Sequence, residues 1–314
     1  MRWEENSEGE CCPPMSTLTT AQDAPKRHEL QCLEVWGGSN HAQHIASVPG
    51  LDISVHSRPL DEHGGDLYLI SSCSSGWITR MLLADVSGHG ASVTDLASQL
   101  RGAMHQSINT VDQSKIAKQL NTAFDAFSRE GRFATALLLT YFAPTGHLVL
   151  VNAGHPPPLM KRAGESSWFP ISSETEGVLT QTCREVRVGI KNLPLGVIDS
   201  TEYEQIAISM AQGDRVCLYT DAYSESAPPG GQQIGVEGMR ALLDRVSEED
   251  HELEAFCPAF ERAMATDGIV IPEDDQTMII VEHNGQERPA LSIPIVSNWL
   301  KNNFGLGHHD THPE

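Results

Sequence analysis

Basic residues are scarce in this 314-residue sequence: 21 Lys and Arg stand against 42 Asp and Glu, a formal net charge of −21. A surface that acidic repels phosphate backbones and anionic lipid, so neither nucleic acid nor a membrane is expected as a partner. Long apolar runs are missing as well. The longest, around 136–143, falls far short of the roughly 18 residues a membrane helix needs and reads as a core strand. The opening Met-Arg-Trp-Glu-Glu-Asn-Ser-Glu-Gly-Glu has no apolar h-region, so no secretory signal is expected. Cysteines are few and unpatterned. There are seven, with Cys11 and Cys12 adjacent and the others scattered singly without metal-ligand spacing. That usage suits a reducing cytoplasm better than a disulfide framework.

What is present suffices for a core, since 39% of residues are hydrophobic. Residues 1–48 are rich in Glu, Ser, Thr, Pro and His with little periodicity, and read as a flexible lead. Residues 49–285 read as one domain, and 286–314 as a tail in which His308, His309 and His312 form a solvated, flexible end. Strand patterning begins at Leu51 and recurs at Leu67–Ile70, Trp77–Ala84, Phe133–Tyr141, Leu148–Val151, Val186–Val188, Tyr203–Ile208, Arg215–Tyr219 and Thr277–Val281. Helical spacing predicts helices over Val93–Ile108, Asp112–Arg129, Val236–Arg245 and Leu253–Met264. Many hairpin-joined strands with helices in two groups make an α+β protein rather than a doubly wound one.

Four acidic sites lie at strand boundaries. Asp66 precedes Leu-Tyr-Leu-Ile, Asp85 ends Met-Leu-Leu-Ala, Asp221 ends Val-Cys-Leu-Tyr-Thr, and Asp274-Asp275 stand just before Thr-Met-Ile-Ile-Val. In antiparallel pairs the start of one strand lies beside the end of its neighbour, so all four could meet at one sheet edge. Carboxylates crowded there repel one another unless cations hold them, and oxygen-only ligation selects Mg²⁺ or Mn²⁺ over zinc. A lone Asp at a strand end is usually only a turn or cap residue. Gly64-Gly65-Asp66 alone resembles the GGDEF signature of diguanylate cyclases, but Leu67-Tyr68 follow in place of Glu-Phe.

The ordered set carries the weight. Gly64-Gly-Asp-Leu-Tyr, Leu83-Ala-Asp-Val-Ser-Gly-His-Gly, Phe133-Ala-Thr-Ala, Asn152-Ala-Gly-His-Pro-Pro-Pro, Leu193-Pro-Leu-Gly, Gly213-Asp-Arg-Val-Cys-Leu-Tyr-Thr-Asp and Asp274-Asp-Gln-Thr follow in that order. Over roughly residues 50–284 this resembles the SpoIIE/RsbU-like branch of the PPM metal-dependent protein serine/threonine phosphatases. The resemblance implies a β-sandwich of two antiparallel sheets flanked by helices, in α-β-β-α layers. It also implies a site for two ions, Mn²⁺ or Mg²⁺. By motif, Asp85 would bridge both and the Val86 carbonyl would complete one shell. Asp66 would serve one side, and Asp221 and Asp274 the other, with Asp275 as neighbour or substitute for Asp274.

The implied reaction is hydrolysis of phosphoserine or phosphothreonine on a small regulatory protein, such as an anti-sigma-factor antagonist, by a metal-bridged water. No protein nucleophile is then needed, in keeping with the lack of a Gly-x-Ser-x-Gly elbow. His89 could give a proton to the leaving oxygen or simply order the turn presenting Asp85. Thr135 and Thr220 could orient carboxylates, and His155 reads as a strand-end packing residue. Ala222 stands where the family often has glycine, so that turn must avoid positive φ. The rival reading is a non-catalytic partner-switching scaffold. A homodimer is left open.

Overall fold

The structure, a computed structural model, describes residues 26–28, 30, 34–61, 64–73, 76–87, 91–107, 110, 112–124, 131–180, 191–198, 201–249 and 251–286. Two sheets stack face to face. In spatial order the first contains β1 (Lys26–His28), β3 (Ala42–Val48), β4 (Leu51–Arg58), β14 (Gln276–His283), β13 (Arg215–Tyr219), β9 (Leu159–Lys161) and β10 (Trp168–Pro170). The second contains β11 (Leu179–Thr180), β12 (Gln205–Ser209), β8 (His147–Ala153), β7 (Ala134–Phe142), β6 (Ile78–Val86), β5 (Asp66–Cys73) and β2 (Val35–Gly38). Among the described strands, every pairing is antiparallel except β1 with β3, which is parallel.

Strands covered on both faces need apolar side chains at alternate and intervening positions alike. In β5, Leu67 and Leu69 join the core beneath α1 (Ala91–Gln106) and α2 (Gln113–Ala123), which contribute Leu96, Leu100, Met104, Ile116 and Leu120. The intervening Tyr68 and Ile70 point the other way and pack between the sheets with Leu83, Leu137, Leu218 and Ile279. On the far side, α4 (Gly235–Val246) and α5 (Leu253–Thr266) cover Cys217, Tyr219, Met278 and Ile280 with Met239, Leu243, Phe256 and Phe260. Three stacked cores make the expected α-β-β-α layers. A short helix, α3 (Asp221–Glu225), follows β13 directly.

Helix placement has its own local causes. Asp112 caps α2, its Oδ1 accepting from the Lys115 N–H at 3.1 Å. Arg80, fully buried in β6, donates to Thr140 Oγ1 (3.1 Å) and to the carbonyls of Ser107 (3.0 Å) and Thr110 (2.5 Å) beyond α1. Buried carbonyls at a helix end need such donors.

Several expectations change. The lead does not run to residue 48, because β1, β2 and β3 lie within it and join both sheets. Their short alternating runs are hidden in polar composition, and pairing with β4 and β5 supplies what periodicity lacked. The strand expected at Val186–Val188, residues 125–129 of the second helix and the tail beyond 286 lie outside the described residues. Among the described residues, no helix is long and apolar enough to cross a membrane.

Candidate metal centre

At one end of the sandwich the layer between the sheets turns from apolar to polar, and strand parity says which residues do it. In the second sheet, Asp66 sits opposite Asp85, and Asp85 opposite Thr135. All three share the parity of Tyr68, Leu83 and Leu137, which face the other sheet. Directly opposed strand residues have Cβ atoms about 4.5–5.5 Å apart, so the two carboxylates are close neighbours. In the first sheet, Ser57, Thr277 and Thr220 form a matching row of hydroxyls. Ser57 Oγ and Thr277 Oγ1 lie 3.1 Å apart, and the Thr277 N–H donates to Thr220 Oγ1 at 3.0 Å. The Thr220 hydroxyl donates across the gap to Asp66 Oδ2 at 2.8 Å. That bond ties the sheets together at the site.

The same hydroxyl stands at the start of α3. Thr220 is the N-cap residue of this helix yet gives it no side-chain cap, because its hydroxyl is committed to Asp66. Asp221 is therefore the first residue of a helix rather than the end of a strand, where a carboxylate is favoured by the unpaired N–H groups. Ala222 is helical, and among the described residues Asn192 alone of the non-glycine residues has positive φ. Glu225 lies four residues on from Asp221, hence on the same helix face.

The adjacent acids before β14 are not equivalent. The Asp275 carboxylate accepts from the Leu60 N–H at 2.6 Å and from the Gly65 N–H, so it is spent on holding the Gly-Gly-Asp turn. A side chain at Gly64 would collide with that carboxylate and with Pro59, which is why glycine stands there. Asp274 is exposed, and its Oδ1 accepts from the neighbouring Asp275 N–H at 2.8 Å. Val86, after Asp85, is buried, and its N–H donates to the Gly65 carbonyl at 3.2 Å.

The electrostatics follow from this placement. Burial and then the Asp85 charge push the Asp66 carboxyl well above the usual range, against the pull of the Thr277 and Thr220 hydroxyls. Asp85 is pushed up to about 7, first by burial and then by Asp221, Asp274, Asp275 and Glu225. Asp221 is raised by burial, Glu225 and Asp274. Carboxylates from both sheets thus oppose one another's ionisation at one rim. Among the described residues, no three His, Cys, Asp or Glu side chains stand close enough to grip an ion as they are. The donors available are oxygens alone, which fits a hard ion such as Mg²⁺ or Mn²⁺ and does not fit zinc.

Of the other expected residues, His89 lies outside the described residues. Thr135 faces the gap beside Asp85 but bonds His155, whose buried ring is no part of the acid group. Sequence reasoning missed Glu225, Ser57 and Thr277. Glu225 was within reach: its spacing from Asp221 is that of one helix turn, had a helix been expected there.

The family model for Stage II sporulation protein E (SpoIIE) matches residues 76–284. Among solved structures, the RsbU and RsbW domains of a Mycobacterium tuberculosis protein are 21% identical, with TM-score 0.59, covering 81% of this chain and 68% of that one. The PP2C phosphatase domain of the Bacillus subtilis cell fate determinant SpoIIE, with a fragment of its regulatory domain, is 15% identical, with TM-score 0.55, covering 74% and 63%. RsbX, solved in complex with magnesium, is 14% identical, with TM-score 0.52, covering 76% and 98%. No curated protein matches the chain.

Proposed function

The chain belongs to the SpoIIE family of PP2C-type phosphatase domains, and on that premise we propose that it hydrolyses phosphoserine or phosphothreonine on a small regulatory protein. The observation that carries the reading is the register pairing of Asp66 with Asp85 on the face turned toward the other sheet, where Asp66 is tied across the gap to Thr220, the neighbour of Asp221. We assign Asp66, Asp85, Asp221, Asp274 and the Val86 carbonyl to two divalent cations, Mn²⁺ or Mg²⁺. Asp275 we assign to holding the turn before Asp66, since both its oxygens already serve backbone N–H groups.

Bound divalent cations would supply a water that ionises near neutral pH and would neutralise the phosphoryl oxygens. The chain's own part is to hold the oxygens rigid. Thr220 fixes Asp66 by its hydroxyl, the β5–β6 register sets Asp85 beside it, and α3 presents Asp221 from across the gap. Such preorganised charge lowers the barrier without reorganisation during reaction. A net charge of −21 disfavours nucleic acid as the substrate, and we place the phosphoprotein substrate in the cytoplasm as part of this reading.

The absence, among the described residues, of three acids already gathered around one point favours a second reading, a partner-switching scaffold without hydrolysis. One assay separates the two. The phosphatase hydrolyses an aryl phosphate with added Mn²⁺ or Mg²⁺, stops when the metal is chelated, and loses the reaction in Asp85→Asn. Wild-type protein inert with both metals would leave the scaffold.

A further inference from the structure

His155 sits in a purpose-built mount. The Asn152 side chain clamps its backbone at both ends, Oδ1 accepting the His155 N–H and Nδ2 donating to the His155 carbonyl, each at 2.8 Å. Gly154 turns the chain with φ +70°, and a Cβ there would strike Pro194. That proline stands just before Leu195, which exchanges backbone bonds with Ala134 (2.7 and 3.0 Å) next to Thr135. Two motifs without an acid, Asn-Ala-Gly-His-Pro and Leu-Pro-Leu-Gly, therefore serve one purpose, which is to aim an imidazole.

The ring spans the two sheets. Its Nδ1 lies 2.7 Å from Thr135 Oγ1 in β7, and its Nε2 lies 3.0 Å from the Tyr219 carbonyl at the end of β13. A carbonyl can only accept, so the proton is on Nε2 and the Thr135 hydroxyl donates to Nδ1. One end of this strut is the register partner of Asp85, and the other is two residues before Asp221. The Thr220 bond to Asp66 is the second tie across the same gap.

We infer that His155 is a positioning residue that holds the Asp66–Asp85 edge and the Asp221 helix at the separation needed to share cations. This rests on the reading of the site as a cation-dependent phosphatase centre. The ring touches none of the acids, so its effect runs through strand spacing and should appear in metal affinity. Losing a group that orients a metal's ligands weakens binding about 10–100-fold.

The test uses the full chain with Mn²⁺ titrated calorimetrically, beside thermal melts in chelator. Two substitutions divide the strut. His155→Gln can still reach the Tyr219 carbonyl as a donor, whereas His155→Asn can still accept from Thr135 but falls short of the other sheet. We expect Asn to weaken Mn²⁺ binding about tenfold or more and Gln to stay within about threefold of wild type. Met264→Ala, in the core beneath α5, is the control for lost stability and should leave Mn²⁺ affinity unchanged. Asn and Gln binding Mn²⁺ as tightly as wild type would overturn the inference, and so would equal weakening in Met264→Ala. Wild-type protein that binds no Mn²⁺ would overturn the cation-site reading itself, and this inference with it. Wild-type binding and hydrolysis alongside an unaffected Asn variant would sink only the role of His155.

Discussion

Replacing Asp85 with Asn should stabilise the metal-free protein while abolishing its chemistry. Asp85 is half-buried and stands near Asp221, Asp274, Asp275 and Glu225, so its carboxyl is raised from an ordinary 3.8 to about 7. A carboxyl raised on folding lends stability that is complete below its unfolded value. That contribution is lost as pH rises through the folded value. The wild type should therefore lose ground between about pH 4 and pH 7, whereas the isosteric amide carries no charge to lose. At about 1.4 kcal/mol per pH unit the gap is capped at roughly 4 kcal/mol, and relaxation of the rim should leave about 2 kcal/mol. For a domain of this size that corresponds to a melting temperature about 4–8 °C higher at pH 8 in chelator. Excess Mn²⁺ should reverse the order, since hundredfold excess over Kd stabilises the binder by about 2.7 kcal/mol. Thermal melts of both proteins at pH 5 and pH 8, with chelator and with Mn²⁺, make the comparison. An amide variant no more stable than wild type at pH 8, or a gap that ignores pH, would refute crowding of the acids.

Two further outcomes follow from the same geometry. Thr220→Val should cost about 1–3 kcal/mol in urea unfolding, because it strips a hydrogen bond from buried Asp66 and from the Thr277 N–H. Thr220→Ser should recover most of that loss, and a valine variant of wild-type stability would show that the bridge carries no weight. Asp275→Ala should lose about 1 kcal/mol by orphaning the Leu60 and Gly65 N–H groups, while Asp274→Ala should unfold like wild type but need more Mn²⁺ for half-maximal hydrolysis. The opposite pattern would exchange the roles of the two acids.

Much of this was legible in one dimension. The apolar runs within β5, β6 and β7 read as strands, and the helical spacing of Leu96, Leu100 and Met104 needs no partner to be seen. β1–β3 escaped because strands in polar surroundings, with β1 and β2 at sheet edges and β3 next to one, owe their order to their neighbours rather than to their own pattern. Thr277 and Ser57 escaped because a hydroxyl on a strand carries no signal until its partner is known.

The order of acidic motifs along the chain, and the strand boundaries that carry them, belong to the sequence by itself. Alternation then obliges Asp66, Asp85 and Thr135 to share one face once their strands pair. Tertiary structure alone decided which of two adjacent acids is free, since Asp275 is claimed by backbone N–H groups more than 200 residues away. It alone turned His155 from a strand-end packing residue into a link between sheets. Local spacing can aim a side chain, but only the packed sandwich determines what lies in front of it.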